Sequence, residues 1–387
     1  MKRGARLCAA GAVVALAGCD SRSDTGSAAP AVPGAPVEIE AVRAMSVGVL
    51  GGDSHQEFDG VVRPFLLPDG RLVVPNSGGY DIRVFNDDGE FLEGLGGRGE
   101  GPGEFMYLSA AWPRGDTIEA FDGNLRRITR FLPDGSTDVV PIASGEYPDL
   151  GLGAGPLGQG WALGGIIAGG YGHRDRIAVH HFDRDGSHLG ELVSVGGIVR
   201  YSAGNLGGGP EPLSPRSVVV ADGTYLYFGD TLEPVIRRTS APGMADGEIA
   251  WEPAESPAVR NALDRVIDQA VSEAPADEAS AMRARHEAAP VPDEPSVFWD
   301  FLVDPEGFVW IQPYEPLAHA FALGARYVGG VGSGGAWSVI ALDGRRAGSI
   351  EVPGGLELTQ ITPTAIVGIR RDELGVESVH VHRIRRQ

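Results

Sequence analysis

An internal repeat limits how this chain can fold more than any other feature. The segments GVLGGDSHQEFDGVVRPFLLPDG, from Gly48, and GLGGRGEGPGEFMYLSAAWPRGD, from Gly94, share one order: a glycine cluster, Glu-Phe, an apolar stretch and a tight turn. Their Glu-Phe pairs, Glu57-Phe58 and Glu104-Phe105, stand 47 residues apart. Self-similarity at about 40 to 50 residues marks propellers and other repeat arrays. Between the pairs, short β-rich runs alternate with turn signals (LPDG, RLVVP, NSGGYD, IRVF, NDDG, EFLEGL), which makes four strands per period.

The beat recurs less cleanly downstream. Inner hairpin turns fall near residues 69, 115, 158, 222, 306 and 363, giving six units. The last unit, Leu356 to Ile384, offers only three strands, while Glu38 to Gly52 supplies a spare strand ahead of the first. A circular array would use that strand to complete the last blade and leave no closing edge exposed. Ser256 to Ala288 breaks the pattern: Val259, Leu263, Val266, Ile267 and Val271 follow helical spacing, and Pro275 interrupts the run. The chain therefore reads as an all-β, six-bladed β-propeller over residues 38–387, closed by an N-terminal strand, with a helical insertion at 254–293 between blades four and five.

The first unit, LPDGRLVVPNSGGYDIRVFNDDGEFLEGLGGRGEGPGEF, resembles an NHL-type repeat of six-bladed β-propellers. The resemblance implies that Gly94 to Gly103 form the crossover loop from an outer strand to the next blade. Gly94, Gly96 and Gly99 also match the dinucleotide pattern G-x-G-x-x-G. That chemistry needs a helix after the glycines, and Pro102 and Gly103 interrupt its first turns.

Composition excludes several functions. The chain has 52 acidic and 32 basic residues, a net charge of −20 that repels phosphate backbones, so nucleic acid is not an expected partner. The only lysine is Lys2 and the only cysteines are Cys8 and Cys19. The folded part thus lacks a Schiff-base lysine, a thiol nucleophile and thiolate zinc ligands.

Lys2, Arg3 and Arg6 precede an apolar run from Leu7 to Ala17, the order of a secretory signal. Leu16-Ala17-Gly18-Cys19 resembles the lipobox of bacterial lipoproteins, which implies cleavage after residue 18 and a lipid on Cys19; ordinary cleavage after Ala15-Leu16-Ala17 is the competing reading. Residues 19–37, rich in Ser, Ala, Pro and Gly, read as a flexible tether. The expected location is the cell envelope, with the chain lipid-anchored to a membrane, monomeric, and facing the periplasm or exterior.

Functional side chains in propellers usually lie on the innermost strands, which here offer Arg63, Asp149, Arg216, Asp300 and Glu357. Trp310 and Tyr314 fall near blade ends, where a large ring is core by default; beside prolines, they are also candidates for a rim pocket. Two arginines among the carboxylates suit an anionic ligand and argue against a cation. No G-x-S-x-G or H-E-x-x-H occurs, and no nucleophile is evident. His380 and His382 share a strand face without a third metal ligand nearby and are expected to face solvent on an outer strand. The reading is a binding module without catalytic residues, metal or cofactor, whose ligand is a protein, peptide, glycan or small anionic molecule. The alternative is a calcium-dependent hydrolase or lyase resembling the six-bladed lactonases, with its site in the central channel.

Overall fold

The computed structural model describes residues 37–202, 208–253, 259–273, 275, 278–288, 290, 292–319, 335–372 and 374–386. After strand β1 (Val37–Val47), the first blade is β2 (Phe65–Leu66), β3 (Leu72–Asn76), β4 (Asp81–Phe85) and β5 (Phe91–Gly96). The second is β6 (Leu108–Arg114), β7 (Thr117–Asp122), β8 (Arg127–Phe131) and β9 (Thr137–Pro141). The third is β10 (Leu150–Leu157), β11 (Gly160–Ile167), β12 (Arg174–Phe182) and β13 (His188–Ser202), with β14 (Gly208–Pro210) at its edge. The fourth comprises β15 (Ser217–Ala221), β16 (Leu226–Asp230), β17 (Val235–Thr239) and β18 (Gly247–Ala250). The fifth comprises β19 (Asp300–Val303), β20 (Val309–Gln312), β21 (Gly335–Ile340) and β22 (Arg346–Val352). The sixth sheet has the order β1, β25 (Glu377–Arg386), β24 (Ala365–Arg371), β23 (Leu356–Ile361). The described residues thus form an all-β, six-bladed propeller.

Turn chemistry sets this alternation. Asp69 accepts the Arg71 N–H at 3.1 Å, Asp222 that of Thr224 at 2.7 Å, Asp304 that of Phe308 at 2.8 Å and Asp343 that of Arg345 at 3.0 Å. These side-chain acceptors satisfy the turn backbone, and the glycine that follows takes positive φ, as Gly307 does at +85°. The core lies between blades rather than inside any one of them. Val73, Ile82 and Val84 of blade one pack with Leu108, Ile118 and Ala120 of blade two, and Phe121 and Ile128 of blade two pack with Trp161 and Phe182 of blade three. Because both faces of a blade are covered, its strands read as continuous apolar runs, LVV and YLYF among them.

The Gly94–Gly103 stretch is a crossover loop bound to itself. A Cβ at Gly96 would lie 2.5 Å from the Phe105 ring, and one at Gly99 would collide with the Glu104 carboxylate, which accepts the Gly101 N–H at 2.8 Å. Arg127 on β8 donates to the carbonyls of Glu100 at 2.8 Å and Glu104 at 2.9 Å. Arg83 on β4 does the same for the loop ahead of blade one, reaching Ser54 at 3.0 Å and Glu57 at 2.6 Å. The repeat therefore conserves a loop shape and the guanidinium that collects its carbonyls.

The ring meets itself at blade six. β1 pairs antiparallel with β25, from Val37 opposite Arg386 to Val47 opposite Val379. Glu377 accepts the Val61 N–H at 2.7 Å through Oε2 and faces Arg371 at 3.0 Å through Oε1; Arg371 in turn meets Glu357 at 2.7 Å. Helices α1 (Val259–Glu273) and α2 (Ala279–Glu287) lie between β18 and β19 in the chain and are joined by Arg283–Asp268 at 2.9 Å. Among the described residues, no helix is long and apolar enough to cross a membrane.

Truncating Glu377 strands a backbone N–H at the seam and half the charge of Arg371. Glu377→Ala is expected to cost about 2–3 kcal/mol of stability, read from the urea midpoint. A loss below about 0.5 kcal/mol, the size typical of an exposed pair, would show that the seam does not depend on it.

Candidate functional site

The innermost strands β2, β6, β10, β15, β19 and β23 surround the central channel. Arg216, just ahead of β15, is almost fully buried. Its Nη2 donates to the Trp299 carbonyl at 2.8 Å, its guanidinium lies 3.8 Å from the centroid of the Trp299 ring, and Asp300 stands 3.9 Å away. His319, on the one-turn helix α3 (Pro316–His319), stacks on Trp299 at 4.2 Å with rings 4° from parallel. Thr231 holds the backbone here, accepting the Arg216 N–H at 3.0 Å and meeting Ser296 at 3.0 Å. Burial pulls the Arg216 guanidinium down, and Asp300 and Glu357 oppose that pull. Burial pushes the Tyr314 phenol up.

Glu357 opens β23. Burial pushes its carboxyl up to about 7, against the attraction of Arg371 and Arg63 and with the help of Asp300. Arg63, Arg216, Asp300 and Glu357 therefore share one electrostatic neighbourhood, as their mutual influence shows.

Arg63 differs from the other cations. It sits at φ +42°, a region where a non-glycine residue stores about 1 kcal/mol or more of strain. The kink cuts β2 to two residues and leaves Arg63 lining the lower channel, a chamber of about 620 Å³ walled by all six blades. It also borders a smaller cavity toward blade three, about 40 Å³ in volume. Arg63 is half-buried, and no carboxylate pairs with it among the described residues.

Several expectations need correction. Asp149 does not join the cluster: its side chain is fully exposed, meets Arg126 only at 4.0 Å, and opens onto a separate groove of about 480 Å³ between blades one, two and three. Trp310 is not on a rim. It is completely buried in β20, with Nε1 donating to Asp304 at 3.1 Å, so it is core. Tyr314 is buried beside Trp299, at 6.1 Å between rings. His380 and His382 do not face solvent: β25 is covered by β1, both side chains are buried, and burial pushes His380 down to about 4, helped by Arg43 and Arg370. Cys19, the leader and the tether to residue 36 lie outside the described residues. Arg371 and Glu377, which flank a turn as cross-strand neighbours, escaped a search confined to innermost strands; their opposite charges across DELGV were the available signal.

Asp300 and Glu357 each face a guanidinium, and among the described residues no three histidine, cysteine or carboxylate side chains converge as metal ligands would.

A sequence profile of the DUF5128 family, described as 6-bladed beta-propeller, matches residues 63–131. No curated protein matches the chain. Among solved structures, the chain is similar to a member of the duf4221 family from Bacteroides vulgatus, at 12% identity and TM-score 0.48 over 91% of this chain and 99% of that one. It is also similar to virginiamycin B lyase from Staphylococcus aureus, at 8% identity and TM-score 0.42 over 89% and 99%. A gluconolactonase from Xanthomonas campestris is similar at 13% identity and TM-score 0.42 over 92% of each chain. At such identities, no activity follows from these likenesses.

The state of Glu357 gives a test by pH. Its folded-state value is raised above its unfolded one, so its contribution to stability is complete below about 4.5 and is lost as pH rises through about 7. Glu357→Gln, which cannot ionise, should therefore gain on the parent protein in melting temperature between these limits. A difference that stays flat with pH would show that Glu357 titrates as an ordinary carboxyl.

Proposed function

We propose that this chain is an extracytoplasmic binding module of the NHL propeller type, held to a membrane through Cys19, whose channel takes up a small anionic ligand at Arg63. The observation that carries the reading is Arg63 itself: a guanidinium held on strained backbone, directed at a chamber, without a carboxylate partner among the described residues. Arg216, the other arginine of the sequence-derived set, is committed to Trp299 and Asp300 and serves the wall. Binding of this kind needs no calcium, in keeping with carboxylates that already face arginines. In the same reading β1 closes the ring, and α1 and α2 are an insertion between blades four and five.

A second reading has one residue in its favour. Glu357, poised near neutrality with Arg371 at 2.7 Å, could move a proton in a hydrolase or lyase, the activities that the names of two similar propellers carry. One experiment weighs both. Thermal scans of the full chain with carboxylates, phosphorylated sugars and lactones should show an anion that raises the melting temperature of the parent and of Arg63→Lys but not of Arg63→Gln. Lactone turnover abolished by Glu357→Gln would favour the second reading, and the absence of any Arg63-dependent shift would remove the first.

The anchor is tested separately. Metabolic labelling with a fatty acid should mark the parent and leave Cys19→Ala unlabelled; equal labelling of both, or none in the parent, would refute the lipid.

A further inference from the structure

The lower chamber sets Arg63 beside apolar side chains from every blade. Most of its other polar side chains are already engaged within the protein. Arg114 donates to Glu119 at 2.9 Å and to the carbonyls of Gly158 and Gly160 at 2.9 and 2.8 Å. Asp304 is taken by the Phe308 N–H, by Trp310 and by Arg386 at 3.0 Å. Thr359 donates to the Pro64 carbonyl at 2.7 Å, and Gln360 makes paired bonds with the Leu66 backbone at 2.8 and 3.2 Å. Asp222, at the lip, turns back onto the N–H groups of Thr224 and Tyr225 at 2.7 and 2.8 Å. Besides these and the exposed Thr224 at the lip, the lining has Arg63 and an apolar wall to which each blade contributes: Phe65, Trp112, Pro156, Val220, Leu302 and Ile361.

Three physical points restrict what such a chamber holds. Its volume of about 620 Å³ lies within the range of roughly 300–1,000 Å³ usual for small-molecule sites. A sugar or other polyol would bury hydroxyl groups against partners that are already satisfied, and each unpaired hydroxyl is costly to desolvate. A polyanion would enter the field of a chain with net charge −20 and find a single guanidinium to offset it.

We infer that the ligand of the channel is an amphiphilic monoanion, a single carboxylate on an apolar body, with the carboxylate on Arg63 and the body against the six-bladed apolar wall. The inference rests on the reading that an anion meets Arg63 and names its chemical class. The guanidinium presents a planar fork that a carboxylate fits with two parallel hydrogen bonds. The apolar body gains free energy from every part of the wall it covers, without requiring a further polar partner.

Calorimetric titration of the full chain with sodium decanoate, decanamide and sodium gluconate separates the possibilities. Decanoate is expected to bind at one site per chain, at least tenfold tighter than decanamide, which lacks the charge, and than gluconate, which lacks the apolar body. Arg63→Gln should weaken decanoate tenfold or more while leaving decanamide unchanged. Ala221→Leu, which narrows the chamber from blade four, should weaken decanoate and decanamide alike, and the unliganded melting temperature of each variant reports whether it folds. Gluconate binding as tightly as decanoate and depending on Arg63 would overturn the amphiphile and leave the anion site standing. Decanoate binding that ignores Arg63→Gln would overturn the inference, and failure of every anion to bind would overturn it together with the site.

Discussion

The pairing of β25 with β1 is the interaction on which the rest of the structure depends. A propeller blade has no core of its own, since its apolar side chains pack on the faces of its two neighbours, so a gap anywhere in the ring would expose two faces together. Here the last blade takes three strands from one end of the described chain and one from the other, and Val47, Met45, Val379 and Val381 carry the joint apolar cluster into blade one. The polar row Glu357, Arg371, Glu377 runs across three positions of that blade and ends on the Val61 backbone. It thus ties blade six to blade one two residues ahead of the kinked Arg63.

The channel follows from that arrangement by a balance of charge. Its carboxylates and most of its arginines neutralise one another: Arg216 with Asp300, Arg371 with Glu357 and Glu377, Arg114 with Glu119, Arg386 with Asp304. Such pairs gain little over apolar packing, because desolvation offsets their attraction, but they are expensive to break singly. Among the described residues, Arg63 is in none of these pairs.

Much of this architecture was legible from punctuation. The six inner hairpins fall where the Asp-Gly turns and their relatives stand in the sequence, since an aspartate that caps its own turn and a glycine that takes positive φ act locally and need no tertiary information. Four of the five innermost candidates also come together, because strand order around a ring places the first residues of successive inner strands side by side. Asp149 departs from them: its side chain is fully exposed and opens onto the groove between blades one, two and three. The histidines of β25 depart from expectation for a different reason. Alternation tells which residues share a face, yet both faces of this blade are covered along the middle of β25, so His380 and His382 are as buried as Val379 and Val381. Arg63 was found by position, whereas its backbone strain and freedom from carboxylates were not visible in the sequence.

The antiparallel register of β1 and β25 has a mechanical corollary. Val37 lies opposite Arg386 on the outermost strand of the sheet. A force that pulled Val37 away from Arg386 would part the hydrogen bonds of the β1–β25 ladder one after another, as a zipper opens. The register irregularities between Ile39 and Met45 lie along this line and divide the ladder into two runs. Tension would thus be absorbed in the outer run, Val37 to Ile39, before it reached the inner run from Met45 to Val47 that packs against blade one.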